Sequence, residues 1–114
     1  MQVVENKISI QLLKEMSSKM FGNLVKGVVD VEKNILVIDA ELHSDQEAYL
    51  LKLGSKQENL WGINIYPDLD MDERVEFDSM INLRPSQNNY SRGVEDSEIQ
   101  SKILNIVNSK IVNE

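Results

Sequence analysis

The stretch VKGVVDVEKNILVIDA, Val25 to Ala40, limits what this chain can fold into more than any other. Val25, Val29 and Val31 alternate with Lys26, Asp30 and Glu32. Successive residues of a strand point to opposite faces, so the segment reads as a half-buried strand. Glu32-Lys33-Asn34 then turns the chain straight into a second β-rich run, ILVIDA. A link this short favours antiparallel pairing, because a parallel pair needs a crossover of about a dozen residues or more. A hairpin is therefore expected.

The remaining elements follow from the same kind of pattern. Val3 and Val4 suit a short strand. Leu12, Leu13, Met16 and Met20 recur at helical spacing, with Ser9 placed to cap and Phe21-Gly22 to stop the helix. His43-Ser44-Asp45-Gln46-Glu47 places a serine three residues before a glutamate, which predicts a second helix capped by Ser44 and ended at Gly54. LWGINIYP (60–67) and VEFDSMINLRP (75–85) read as strands, each halted by a proline that cannot donate to a ladder. Ile99, Ile103, Ile106, Val107 and Ile111 mark one face of a last helix opened by Asp96 or Ser97. The expected fold class is α+β, a two-layer, mainly antiparallel sheet with about three helices packed on one face.

Length and composition narrow the class further. A chain of 114 residues suits a single globular domain, 1–114. With 41% hydrophobic and 27% charged residues it has the make-up of an ordinary globule. A formal charge of −7 disfavours nucleic acid, whose non-specific binding rests on Lys and Arg neutralising phosphates. The sequence has no cysteine, which removes disulfides, zinc-thiolate sites and thiol chemistry. MQVVENKISIQLLKEM lacks the layout of a secretory signal, and the apolar run ILVIDA is broken by Asp39. The expectation is a cytoplasmic protein with no membrane partner.

If helices cover one sheet face, Val75, Phe77, Ile81, Leu83, Trp61, Ile63, Ile65, Leu36, Ile38 and Ala40 point inward. The outer face then carries Asp39, Glu41, His43, Asn64, Tyr66, Glu76, Asp78, Met80, Asn82 and Arg84. Such a face is either the solvated side of an antiparallel sheet or a concave ligand site. Asn64 and Asn82 favour the second, because asparagine is depleted in strands unless its amide bonds something.

Other constellations carry less. Asp68, Asp70 and Asp72 have the spacing that opens a calcium loop, but Glu73 stands where the glycine is needed and Ser79 where the bidentate glutamate is needed. No metal and no cofactor is expected. His43, the single histidine, stands beside Glu41 and Asp45 and has the chemistry of a proton shuttle. Ser86 and Ser91 lack the glycine-framed turn of a serine nucleophile. Arg84 and Arg92, with Ser86, Gln87, Asn88, Asn89 and Ser91, form the local excess of donors in an acidic chain. They suit a carboxylate or phosphate, or else an internal brace to Asp78, Glu95 or Asp96. Glu95, Asp96 and Glu98 already put negative charge at the start of the last helix, which favours the brace.

MFGNLVKGVVDVEK, ELHSDQEAYLL, GSKQENLWGINIYP and EFDSMINLRPSQNNYSRGVED together resemble a family of small uncharacterised prokaryotic proteins known only as a domain of unknown function. The likeness runs from Met20 to Val107. It rests on Glu41 to His43, Gly54 to Gln57, Leu60 to Gly62, Asn64, Tyr66, Pro67, Phe77 to Asn82, Arg84 to Gln87, Asn89 and Ser91 to Asp96. The resemblance implies a prokaryotic cytoplasmic protein and brings no activity with it.

Three readings of function stand at this point. One is a binding module for an anionic small molecule or an acidic peptide, with candidate ligand-binding residues Glu41, His43, Asn64, Asp78, Asn82, Arg84, Ser86, Gln87, Asn89, Ser91 and Arg92. Another is an enzyme using His43 with Glu41 or Asp78 on a substrate oriented by Arg84 and Arg92. The third is an assembly protein, such as a homodimer, that pairs through its sheet face or edge.

Overall fold

The structure, a computed structural model, describes residues 1–113. Its strands are β1 (Gln2–Val4), β2 (Ile8–Ser9), β3 (Val25–Asp30), β4 (Ile35–Ile38), β5 (Leu60–Ile65), β6 (Val75–Glu76) and β7 (Ile111–Val112). The α-helices are α1 (Ile10–Lys19), α2 (His43–Lys52) and α3 (Ser97–Lys110). Among the described residues β1, β4, β3, β5 and β6 form, in that order, one five-stranded antiparallel sheet, and β2 pairs with β7 in parallel. The fold is α+β.

The hairpin closes as its sequence suggests, with Asp30 opposite Ile35 and Val28 opposite Val37. Its turn is held by the Asp30 carboxylate, which accepts from the N–H of Glu32 at 2.9 Å and of Lys33 at 3.0 Å. Asn34 takes the left-handed conformation that lets the chain double back. In α1, Ser9 Oγ accepts from Leu12 N at 3.0 Å, and beyond the end of the helix Gly22 adopts φ +93°. Asp96 caps α3 by accepting from Glu98 N at 2.8 Å.

The helices divide between the two faces of the sheet. Val25, Val29, Leu36, Ile38, Trp61, Ile63 and Ile65 pack with Leu13 of α1 and with Ile103, Ile106 and Val107 of α3. Val28, Val37 and Leu60, which alternate with them, pack with Leu50 of α2. The expectation of helices on one face thus holds for α1 and α3 and is corrected for α2. Leu50 gives α2 an apolar anchor of its own, and the sheet answers with apolar residues on its second face.

Two further expectations change. The helix start expected at Ser44 lies earlier: α2 begins at His43, its N-cap is Leu42, and no side chain caps it. A tertiary bond outweighs the local box, because the His43 ring reaches across to Ile63 O. The strand expected over 75–85 stops at Glu76, and the chain continues through 3-10 turns at Met80–Asn82 and Pro85–Gln87. Ile81 packs toward Val28, Val37, Leu50 and Leu60 rather than inward beside Trp61, and Leu83 is exposed.

A candidate anion pocket on the second sheet face

The site is built on Gly62. With no side chain there, Ser79 lies directly over the β5 backbone; a Cβ at position 62 would stand 2.5 Å from Ser79 Cβ and Oγ. That close approach sets Asn82 against the outer edge of β5, which β6 covers only at Asn64 and Ile65. Asn82 Oδ1 accepts from Gly62 N at 2.8 Å, and its Nδ2 donates to Gly62 O at 2.9 Å and to Arg92 O at 2.9 Å. One side-chain amide stands in for a strand's backbone, which is why an asparagine with poor strand propensity sits here fully buried.

The long segment that follows is held from inside. Arg84 is buried, stacks over the Trp61 ring at 4.2 Å, and donates to Leu60 O at 2.7 Å and to Gln57 O. Burial pushes its guanidinium below the usual value, opposed by the Glu47 carboxylate. Asn89 donates to Asn82 O at 2.7 Å and Gly93 O at 2.8 Å, and its Oδ1 accepts from Glu95 N at 2.9 Å. Gln87 donates to Glu58 O, and Ser91 Oγ accepts from Gly93 N. The internal brace expected of the two arginines is therefore divided. Arg92 meets a carboxylate, Asp78, at 2.6 Å near the surface, whereas Arg84 uses carbonyls and an aromatic ring.

Between the start of α2 and this segment lies a cavity of about 160 Å³. Its polar walls are Lys26, His43, Ser44, Ser79 and Arg92, and Leu42 and Met80, both largely exposed, give it an apolar rim. Lys26 comes from β3, opposite Asn64 in register. Its ammonium lies 5.1 Å from the centre of the Phe21 ring, and among the described residues the ion pairs are Lys14–Asp68 and Arg92–Asp78, so Lys26 has no carboxylate partner. The first turn of α2, without a side-chain cap, brings backbone N–H groups and the positive end of a helix dipole to the same wall.

His43 is 8% exposed, and its Nε2 lies 2.7 Å from Ile63 O. A carbonyl only accepts, so Nε2 carries the hydrogen and the lone pair of the neutral ring is on Nδ1. Burial lowers the pKa of the ring below its ordinary value; Lys26 and Arg92 add to the lowering, and the Ile63 bond and Asp78 oppose it. The imidazole is neutral at pH 7, and the net positive charge of the walls comes from Lys26 and Arg92.

Of the residues singled out in the sequence, the fold brings His43 and Arg92 to this cavity and sets Asp78 beside them. Asn64 is buried near by, donating to Glu76 Oε1 at 2.9 Å and Asp78 O at 3.4 Å. Asn82, Arg84, Gln87 and Asn89 are occupied in holding the segment. Glu41 and Ser86 are exposed and do not line the cavity. Lys26, Ser44 and Ser79 were missed. The alternation of β3 already put Lys26 on the second face, but the contributions of Ser44 and Ser79 depend on where α2 starts and on the packing of Ser79 over Gly62.

Other hollows suit an anion less. One of about 510 Å³ is lined by Asp70, Met71, Asp72, Leu104 and Asn108 and offers two carboxylates and no cation. Another, of about 290 Å³, sets Lys14 and Arg74 against Asp68 and Asp70. Among the described residues no group of three or more His, Cys, Asp or Glu side chains is placed to hold a metal ion, and no helix is long and apolar enough to cross a membrane.

An α+β protein with an antiparallel sheet and a small cationic cavity on its second face is the class that fold and site define. The model of a family described as a protein of unknown function (DUF5674) matches residues 2–110. The chain belongs to that family. No curated protein and no solved structure matches it.

Proposed function

We propose that the protein is a cytoplasmic binding module for a small anionic molecule, taken up in the cavity between the start of α2 and the 78–92 segment. The observation that carries this reading is the convergence of Lys26, Arg92, Ser44 and the uncapped first turn of α2 on one cavity of about 160 Å³. In a chain with a formal charge of −7, Lys26 and the Asp78-paired Arg92 beside a helix start that no side chain caps form a local exception. The size of the cavity favours a small molecule over an acidic peptide. The apolar rim of Leu42 and Met80 suits the organic part of such a ligand.

The enzymatic reading, His43 with Glu41 or Asp78, has less support, because Glu41 does not line the cavity and Asp78 is engaged by Arg92. Self-association through the free edge of β1 has no further observation in its favour. The test is calorimetric titration with phosphate, sulfate and small carboxylates at matched ionic strength, which separates binding from screening. Saturable binding that weakens at least tenfold in Lys26→Met supports the reading. Absence of binding by all of these anions would overturn it.

A further inference from the structure

We infer that the anion held in this cavity presents a proton donor to His43, as hydrogen phosphate does and sulfate does not. The inference rests on the anion-binding reading and adds a selectivity to it. His43 and Ser79 both line the cavity while being 8% and 1% exposed, so each is a buried polar side chain beside the cavity. Nε2 of His43 is committed to Ile63 O, and Nδ1 has no hydrogen-bond partner among the described residues. Ser79 Oγ accepts from Ile81 N at 3.3 Å, and among the described residues its O–H donates to no group.

The cavity therefore offers two kinds of contact to a ligand. Lys26, Arg92, Ser44, Ser79 and the first turn of α2 donate, and Nδ1 of the neutral imidazole accepts. The charged groups that act on the ring are Lys26 from β3 and Asp78 and Arg92 from the 78–92 segment. Burial above all, helped by the two cations and opposed by the Ile63 bond and Asp78, disfavours protonation of the ring, which leaves Nδ1 its lone pair.

An anion with acceptor oxygens alone sets one of them against that lone pair and leaves a buried acceptor unsatisfied. Inorganic phosphate near neutral pH keeps at least one O–H and can donate it to Nδ1. Leaving a buried polar group unpaired is costly enough to discriminate about tenfold or more between otherwise similar anions.

The experiment is calorimetric titration of the full chain with inorganic phosphate and with sulfate, near pH 7 and at matched ionic strength, for wild type, His43→Leu and Lys26→Met. Leucine has no acceptor to offer the ligand, and thermal denaturation of each variant checks that it is folded. Expected is a preference of wild type for phosphate of about tenfold or more, lost in His43→Leu because sulfate rises relative to phosphate. Lys26→Met should weaken both anions and keep the preference. Equal binding of the two anions by wild type, or a preference that survives in His43→Leu, would overturn this inference and leave the anion-binding reading standing. Binding of neither anion, with the carboxylates of the previous test also failing, would overturn both.

Discussion

Asn82 and Gly62 are joined at both polar groups of the glycine, N–H to Oδ1 at 2.8 Å and C=O from Nδ2 at 2.9 Å. This pairing finishes the edge of β5 where β6 has ended. Asn82→Leu keeps a similar volume and leaves both backbone groups buried and unpaired. Each should cost about 1 to 3 kcal/mol. Urea denaturation reads the loss, and an unchanged midpoint would show that water replaces the amide.

Gly62 is needed for space. Its φ is ordinary, but a Cβ there would stand 2.5 Å from Ser79 Cβ and Oγ. Gly62→Ala should destabilise by about 1 to 3 kcal/mol by forcing the 79–82 turn off the sheet. Ser79→Gly in the same chain removes both clashing atoms and should return part of the loss. A double-mutant cycle measures this coupling, and additive effects would mean that the two residues do not press on each other.

The two arginines of the long segment should behave differently. Arg84 is buried against Trp61 and two carbonyls, so Arg84→Gln should lower stability by roughly 2 kcal/mol or more. The side chains of the Arg92–Asp78 pair are about half exposed, at 56% and 42%, so Arg92→Gln should change stability by less than about 1 kcal/mol. Equal losses in the two variants would contradict this division between brace and surface pair.

Trp61, 2% exposed, lies in the core shared with α1 and α3. Its emission should be blue-shifted and resistant to acrylamide, and Trp61→Ala should cost about 3 to 5 kcal/mol. Ready quenching in the folded state would place the ring outside that core.

His43 links stability to pH. Because burial lowers its pKa in the folded protein below the ordinary 6.5, the unfolded chain binds more protons between the two values. The contribution of His43 is fully present above the ordinary value and is lost as pH falls from there through the lowered one. Denaturation curves between about pH 5 and pH 8 should show wild type losing stability toward acid more steeply than His43→Gln. Parallel curves would mean that the ring titrates normally.

Much of the fold was legible because its causes are local. The Asp30–Asn34 turn, the Ser9 and Asp96 caps and the apolar face of α3 each depend on residues a few positions apart, whereas of the apolar residues read in α1 Leu13 is buried and Leu12 is exposed. The candidate site was legible only in part. His43 and Arg92 stood out by residue type, but the same criterion gathered Arg84, Gln87 and Asn89, whose donors turn inward.

By itself the sequence determined the antiparallel hairpin, the three helices with the caps of α1 and α3, and the α+β class, since periodicity and capping act within a turn or a strand. Only the tertiary structure decided that α2 starts at His43, that Asn82 replaces a strand at Gly62, and that Lys26, His43 and Arg92 share a cavity. Those outcomes rest on bonds between residues about twenty positions apart, such as His43 to Ile63 and Asn82 to Gly62, and on the missing Cβ at Gly62. A local box at Ser44 contributes about 1 kcal/mol, and burying His43 against the sheet outweighed it.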